Sequence, residues 1–265
     1  MCRLAGYVGE EPKPLSALLF DPPHSLQHVA YQPQELLYGR VNVDGTAIAW
    51  WPEGRSEPVR YATMQPPWSD PNLAGLAPVL TSSTMLAAVR SATPGLPYGI
   101  DNVAPFVAEG VAGAHNGWIG GFRRGVGRGL LARLDDRRFG RLMAMNDSLA
   151  LFLLALQFLA DEPGSSLAEA VTAVITDTAK AVAGAGESAT LNLVLASEGE
   201  IVAARTSVAH GVNSLYVRGG PGGAWIASEA LDDDPEWLEV PEFSLVALTP
   251  GSVEFLSLDH EGMGS

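Results

Sequence analysis

The sequence is short of cysteine, of basic residues and of long apolar runs, and each shortage excludes a class of protein. One cysteine among 265 residues rules out an intrachain disulfide, so nothing points to an oxidising compartment. The sequence has 16 lysines and arginines but 30 aspartates and glutamates. The resulting net charge of −14 disfavours nucleic-acid and anionic-membrane partners. The longest strongly apolar stretch, from Leu149 to Ala160, is too short to span a bilayer.

What remains is the composition of a globular protein, with 47% hydrophobic and 17% charged residues. A single domain over residues 1–265 fits this length. The first residues, Met1 to Gly6, contain no apolar segment of the kind found in signal peptides, so we expect a cytoplasmic protein.

The hydrophobic pattern predicts short strands, then two helices, then strands again. The first strands are expected at 3–8, 46–51, 85–89 and 111–115, with a short helix at 15–20. The strand at 111–115 is expected to end at the turn dipeptide Asn116-Gly117. The Gly- and Arg-rich segment 120–140 is expected to be irregular, and a local role with an anionic substrate or partner is an alternative to a plain insertion.

Two helices follow, at 148–159 and from a capping-box pattern at Ser166 and Glu169 to about 182. Three hairpins complete the chain, at 190–204, 215–228 and 244–258. No βαβ rhythm is repeated. The order therefore predicts an α+β fold, in which two packed antiparallel sheets carry helices on their outer faces.

Cys2 is the residue with the clearest chemical meaning. Removal of Met1 would give a first residue with both a thiol and a free α-amine. The unperturbed pKa of an α-amine is about 7.7–8.0, so the amine can act as the general base for its own thiol. The alternative is a small buried cysteine without reactivity.

Three other places could bind an amino acid substrate. Arg90 ends an apolar strand, where its planar fork suits a carboxylate, although a surface salt bridge is the alternative. The amide of Asn116 and the N–H of Gly117 can stabilise an oxyanion, if they are more than a turn. Asp147 lies in Asn146-Asp147-Ser148 before an apolar helix, where it either caps the helix or binds an ammonium group.

Together these residues resemble the class II glutamine amidotransferases. The resemblance is carried by Met1-Cys2-Arg3-Leu4-Ala5-Gly6, Asn42-Val43-Asp44-Gly45, Arg90-Ser91-Ala92-Thr93, His115-Asn116-Gly117 and Asp147-Ser148. It implies a four-layer αββα sandwich, the fold of N-terminal-nucleophile hydrolases.

The resemblance also implies a role for each residue. Cys2 is the expected nucleophile, and Asn116 with Gly117 is the expected oxyanion hole. The expected substrate-binding residues are Arg90 and Thr93 for the α-carboxylate, Asp147 for the α-ammonium, and His115 beside the oxyanion hole. No metal or organic cofactor is expected, and the spacing of His24 and His28 suggests no metal site.

Three further segments resemble the stand-alone hydrolases of ergothioneine biosynthesis, which remove glutamate from γ-glutamyl-hercynylcysteine sulfoxide. They are Asp21-Pro22-Pro23, the run from Arg90 to Pro97 and the run from Ser228 to Trp237. The resemblance therefore implies hydrolysis of the γ-glutamyl amide bond of a small glutamine-like substrate, a conjugate of the γ-glutamyl-hercynylcysteine sulfoxide type, through a γ-glutamyl thioester on Cys2. Two alternatives stay open: a glutaminase subunit that passes ammonia to a separate synthetase, and a non-catalytic binding protein that retains the fold. A homo-oligomer is compatible with each of these functions.

Overall fold

Two antiparallel sheets face each other in the computed structural model, which describes residues 2–37, 39, 41–92 and 99–258. Within these residues one sheet has seven strands, in the order β11-β9-β10-β1-β4-β2-β3. Its strands are β1 (Arg3–Pro14), β2 (Thr46–Trp50), β3 (Val59–Thr63), β4 (Thr81–Val89), β9 (Tyr216–Gly220), β10 (Gly223–Ala227) and β11 (Leu238–Glu239).

The second sheet has six strands within the same residues, in the order β13-β12-β8-β7-β6-β5. Its strands are β5 (Phe106–Ala108), β6 (Val111–Ile119), β7 (Ala189–Ser197), β8 (Glu200–Val208), β12 (Ser244–Thr249) and β13 (Ser252–Ser257). The three hairpins expected in the last third of the sequence are confirmed as β7–β8, β9–β10 and β12–β13.

Helices cover the outer face of each sheet. The six-stranded sheet carries α4 (Val126–Leu131), α6 (Asp147–Asp161) and α7 (Leu167–Gly184), and α5 (Asp136–Phe139) lies against α6. The seven-stranded sheet carries α1 (Ser16–Leu19), α2 (Leu26–Tyr31) and α3 (Pro71–Leu76). The predicted four-layer αββα architecture is confirmed.

A buried core joins the two sheets. Leu4, Leu86 and Ile226 come from the seven-stranded sheet, and they pack against Val194 and Val246 of the other. These side chains are all less than 2% exposed. Burying apolar side chains of this size from water is the main favourable term in folding, so this layer fixes how the strands of one sheet lie over the other.

Strand β1 occupies the middle of its sheet, between β10 and β4. Ala5 lies opposite Ala227 on one side and Ala87 on the other. The strand expected at 3–8 is confirmed and extends to Pro14, with a register shift after Val8. The start of the chain is therefore held on both sides by hydrogen-bonded neighbours.

The two central helices are confirmed with their predicted ends close to position. Ser166 accepts a hydrogen bond from the Glu169 N–H, and the Glu169 carboxylate accepts one from the Ser166 N–H, so the capping box is complete. At the start of α6 the cap is Asn146, whose Oδ1 accepts the Leu149 N–H at 2.6 Å. Capping by Asn146 leaves the side chain of Asp147 available for another role.

The turn predicted at Asn116-Gly117 is wrong, because β6 continues through both residues to Ile119. Asn116 lies opposite Asn192 and Gly117 opposite Leu191 of β7. A side chain at position 117 would place its Cβ 1.9 Å from the Thr190 carbonyl oxygen. Glycine is present at this position because the backbone of β7 approaches closely, and the dipeptide does not form a turn.

The irregular structure predicted for 120–140 is also wrong, since α4 and α5 lie within it. Leu130 and Leu131 of α4 are buried against the core under α6 and α7. Asp135 caps α5 by accepting the Arg138 N–H at 2.7 Å. Tertiary packing and a cap thus outweigh the weak helix propensity of the glycines here.

Candidate active site

Cys2 immediately precedes β1 and is half-buried. Because Arg3 lies opposite Val89 of β4, continuation of the antiparallel register places Cys2 across from Arg90. The sheet therefore brings the expected nucleophile and the expected carboxylate-binding arginine side by side, although they are far apart in the sequence.

Arg90 is a buried arginine, only 5% exposed, at the end of β4. Its backbone is fixed to the segment before β2: its N–H donates to the Gly45 carbonyl at 2.8 Å, and its carbonyl accepts the Asp44 N–H at 3.0 Å. Among the described residues, its Nη1 has no hydrogen-bond partner. A buried guanidinium nitrogen without a partner is costly, and a bound carboxylate would satisfy it.

Asp44 braces the chain just beyond Arg90. Its carboxylate accepts the Ala92 N–H at 2.7 Å, so the segment before β2 and the segment after β4 are joined by side-chain as well as backbone hydrogen bonds. Thr93, the expected second contact to the substrate carboxylate, lies outside the described residues.

Asn116 lies on β6 with its side chain fully buried between the sheets. Its Nδ2 donates to Ser228 Oγ at 3.3 Å, and the same Oγ accepts the Leu4 N–H at 3.0 Å. Asn213 Nδ2 donates to the Asn116 side-chain oxygen at 3.3 Å. An amide nitrogen carries two hydrogens, so one hydrogen of Nδ2 is left to donate to another acceptor.

Asp147 is the first residue of α6, and its side chain contacts the last residue of β6, the strand that carries Asn116. Its Oδ2 accepts the Ile119 N–H at 2.9 Å, and its Oδ1 accepts the Ser148 N–H at 2.8 Å. These two N–H donors fix the carboxylate in place, and each oxygen keeps a lone pair that can accept a further donor.

His115 points to the opposite face of β6 from Asn116 and is 2% exposed. Its Nε2 lies 3.1 Å from the Thr190 carbonyl, which can only accept, so Nε2 carries the proton. Its Nδ1 then accepts from Ser148 Oγ at 3.1 Å. Burial lowers the pKa of His115 below its ordinary value, and the nearby carboxylate of Asp147 opposes this shift only in part.

Three residues that hold the site together were not among the residues expected from the sequence. Ser228 Oγ accepts hydrogen bonds from both the Asn116 amide and the Leu4 N–H of β1. Glu229 Oε1 accepts a hydrogen bond from Nε of the fully buried Arg3 at 2.6 Å. All three occur in the segments that carry the family resemblance, but a serine, a glutamate and an arginine have no specific chemical signature on their own. The segment after β10 therefore contributes hydrogen bonds to the candidate site.

The described residues hold no group of three His, Cys, Asp or Glu side chains placed to bind a metal ion. No helix among them has the length and apolar character needed to cross a membrane.

This four-layer sandwich, with a cysteine leading into the central strand of one sheet, is the fold of the N-terminal-nucleophile glutamine amidotransferases. A glutamine aminotransferase class-II domain protein from Silicibacter pomeroyi superposes with a TM-score of 0.70 at 24% identity, over 97% of this chain and 98% of that one. A scan against models of known protein families gave no match.

Curated relatives define the family. The chain is 30% identical over 260 residues to the gamma-glutamyl-hercynylcysteine sulfoxide hydrolase of Mycobacterium tuberculosis, covering 98% of both chains. It is 31% identical over 247 residues to the hydrolase of the same name from Mycolicibacterium smegmatis, covering 93% of this chain and 95% of that one. The chain belongs to the class II glutamine amidotransferase family and is an amidohydrolase of that type.

Proposed function

We propose that the protein hydrolyses the amide bond of a γ-glutamyl conjugate through a γ-glutamyl thioester on Cys2. The observation that supports this most directly is the register of β1 and β4, in which Arg3 lies opposite Val89, so that its continuation places Cys2 across from Arg90. Arg90 has a buried guanidinium nitrogen without a partner among the described residues. The reaction needs both a nucleophile and an anchor for the glutamate carboxylate, and they are neighbours here.

Two binding contacts orient the substrate in this proposal. Arg90 receives the α-carboxylate, because its Nη1 and the planar guanidinium suit a carboxylate. Asp147 receives the α-ammonium, because its carboxylate is already fixed by the Ile119 and Ser148 N–H groups. Both ring nitrogens of His115 are hydrogen-bonded, one to Ser148 Oγ and the other to the Thr190 carbonyl. We therefore assign His115 the role of holding Ser148, the neighbour of Asp147, in position. Direct contact between His115 and the substrate stays a prediction, as does the contact of Thr93.

Acylation forms one bond and breaks another. With Met1 removed, the α-amine of Cys2 takes the thiol proton, and the sulfur attacks the γ-glutamyl carbonyl carbon. Asn116 Nδ2 and the Gly117 N–H stabilise the resulting oxyanion. When the intermediate collapses, the C–N bond breaks and the protonated α-amine gives its proton to the leaving amine. Water then attacks the thioester, which releases glutamate and restores the free thiol.

The relatives suggest the nature of the leaving amine. Two proteins at 30% and 31% identity carry the name gamma-glutamyl-hercynylcysteine sulfoxide hydrolase. We therefore propose a conjugate of this type as the substrate, with the sulfoxide-bearing amine as the leaving group.

The test is a comparison of Cys2→Ala with the unaltered protein on two substrates, glutamine and a γ-glutamyl-cysteine sulfoxide conjugate. Intact mass first establishes that Met1 has been removed. We expect Cys2→Ala to fold normally and to lose all turnover, and the unaltered protein to prefer the conjugate. Undiminished hydrolysis by Cys2→Ala would end the proposal, whereas a preference for glutamine would favour an ammonia-delivering subunit.

Trapping the intermediate gives an independent measurement. Acid quenching during turnover should preserve the acylated protein, and its intact mass should exceed that of the free protein by one γ-glutamyl group. Because Cys2 is the only cysteine in the sequence, a thioester adduct can form at no other residue. An adduct retained by Cys2→Ala would show that the acyl group is carried elsewhere.

A further inference from the structure

A buried ion pair lies directly beside the nucleophile. Arg3 is 0% exposed, and its Nε donates to Glu229 Oε1 at 2.6 Å; Glu229 is itself 5% exposed. The Arg3 Nη1 donates to the carbonyl of Cys2 at 3.3 Å. The guanidinium thus connects the residue that carries the thiol to a carboxylate contributed from 226 positions away.

The same carboxylate holds a second segment of the chain. Glu229 Oε2 accepts the Gln34 N–H at 2.8 Å, and Oε1 accepts the Glu35 N–H at 3.2 Å. Glu35 is anchored in turn, because its carboxylate accepts the Tyr216 hydroxyl at 3.0 Å. These residues open the connection between α2 and β2.

That connection leads to the substrate anchor. It ends at Asp44 and Gly45, which fix the backbone of Arg90 and the Ala92 N–H. One carboxylate therefore joins the start of β1, where Cys2 lies, to the start of the segment that braces Arg90. Stability alone is a weak explanation for a buried ion pair here, because such pairs contribute little net stability once desolvation is counted.

We propose that Glu229 is a positioning residue for Cys2 and acts through Arg3. This inference rests on the proposed function for its catalytic consequence. The geometry of Cys2 is maintained by Glu229 in the same way that the geometry of Asn116 is maintained by the preceding residue, Ser228.

Glu229→Gln tests the proposal with little change of shape. The amide must turn an N–H₂ group toward either the Arg3 guanidinium or a backbone N–H, so at least one contact becomes donor against donor. Since a misplacement of about 1 Å can cost on the order of a hundredfold in rate, we expect kcat to fall at least about tenfold, with KM changing by less than about threefold. The control is Glu109→Gln, which breaks the pair of Glu109 with the 5%-exposed Arg138 in the 120–140 segment and should leave kcat unchanged.

A double variant separates positioning from folding. Arg3→Met combined with Glu229→Gln removes both charges together, and we expect it to regain the melting temperature lost in Glu229→Gln, because no buried charge is left alone. Its kcat should stay low, since the contact to Cys2 is still missing. Recovery of kcat together with stability would overturn the proposal, as would equal losses of kcat in Glu229→Gln and Glu109→Gln.

Alkylation of Cys2 by iodoacetamide gives a readout without substrate. The sequence has no other cysteine, so the rate reports on this thiol alone. We expect faster alkylation in Glu229→Gln, because a loosened β1 terminus exposes the half-buried sulfur, and an unchanged rate in Glu109→Gln. An unchanged rate in Glu229→Gln would contradict the positioning role. Failure of the proposed function is recognised separately, as absence of γ-glutamyl turnover by the unaltered protein.

Discussion

Asn116 of β6 donates its side-chain amide to Ser228 Oγ across 3.3 Å, and this bond joins the two sheets at the candidate active site. The Ser228 oxygen also accepts the Leu4 N–H, two residues after the nucleophile. A single hydroxyl thereby sets the position of the proposed oxyanion donor relative to the strand that begins next to Cys2.

Ser228→Ala should lower kcat while KM changes little, because Asn116 loses the acceptor that orients its amide. It should also lower the free energy of unfolding by about 1–3 kcal/mol, since the buried Leu4 N–H is left without a partner. Steady-state kinetics and thermal melts measure the two effects.

The matched control is Ser82→Ala, where a serine that is 3% exposed bonds to the backbone of Trp51 and Thr84. It should lose similar stability with no selective loss of kcat. Equal catalytic losses in the two serine variants would contradict the role given to Ser228.

Arg90→Lys should raise KM for a γ-glutamyl substrate at least about tenfold, because a lysine keeps the charge but loses the planar fork that binds a carboxylate with two hydrogen bonds. The effect on kcat should be smaller. A substrate analogue without the α-carboxylate provides the check: it should be turned over equally poorly by both proteins. An unaltered KM in Arg90→Lys would rule out carboxylate binding by this residue.

Gly117→Ala should destabilise the protein strongly, since the new Cβ would lie 1.9 Å from the Thr190 carbonyl and β6 would have to move away from β7. Gly184→Ala, at the end of α7, is the control, because no atom other than those of adjoining residues and of its own helix backbone lies within 4 Å of the position that its Cβ would take. That variant should be neutral or gain about 0.4–1 kcal/mol. Chemical denaturation measures both, and a stable Gly117→Ala would show that the strands can separate at this point.

The pKa of His115, lowered mainly by burial, gives the protein a defined pH dependence. The unfolded chain binds a proton near its ordinary pKa of about 6.5, whereas the folded state resists it until lower pH. Stability from this residue is therefore complete above about pH 6.5 and is lost as pH falls below that value. Unfolding free energies measured between about pH 8 and about pH 5 should decrease less steeply for His115→Gln, which can keep both hydrogen bonds without titrating. Identical slopes would place the titration elsewhere.

Local sequence signals are sufficient for the parts of the fold that depend on local physics. The capping box at Ser166 and the apolar run of α6 are located correctly because caps and hydrophobic periodicity act over a few residues. The same holds for the strand after Cys2 and for the hairpins, whose turns contain glycine. The expected placement of Cys2 and Arg90 in one site came from the family resemblance, and strand register supports it.

Contacts between distant segments could not be predicted in this way. Asn116-Gly117 has the composition of a turn, and only the close approach of Thr190 explains a glycine inside a strand. The helices within 120–140 depend on packing under α6 and α7, which composition does not reveal. The pair of Arg3 and Glu229 joins opposite parts of the sequence, and no local pattern marks it.

The central place of β1 has a consequence for how the protein becomes active. One neighbour of β1, the strand β4, ends at Val89 and is therefore synthesised early. The other neighbour, β10, comprises Gly223–Ala227 and is synthesised more than 100 residues later. A fragment that contained Cys2, Arg90, Asn116 and Asp147 would still lack Ser228 and Glu229, and its leading strand would have one open edge. In the proposed mechanism the candidate site can therefore be complete only after synthesis has passed Glu229, well after the four residues that would contact the substrate.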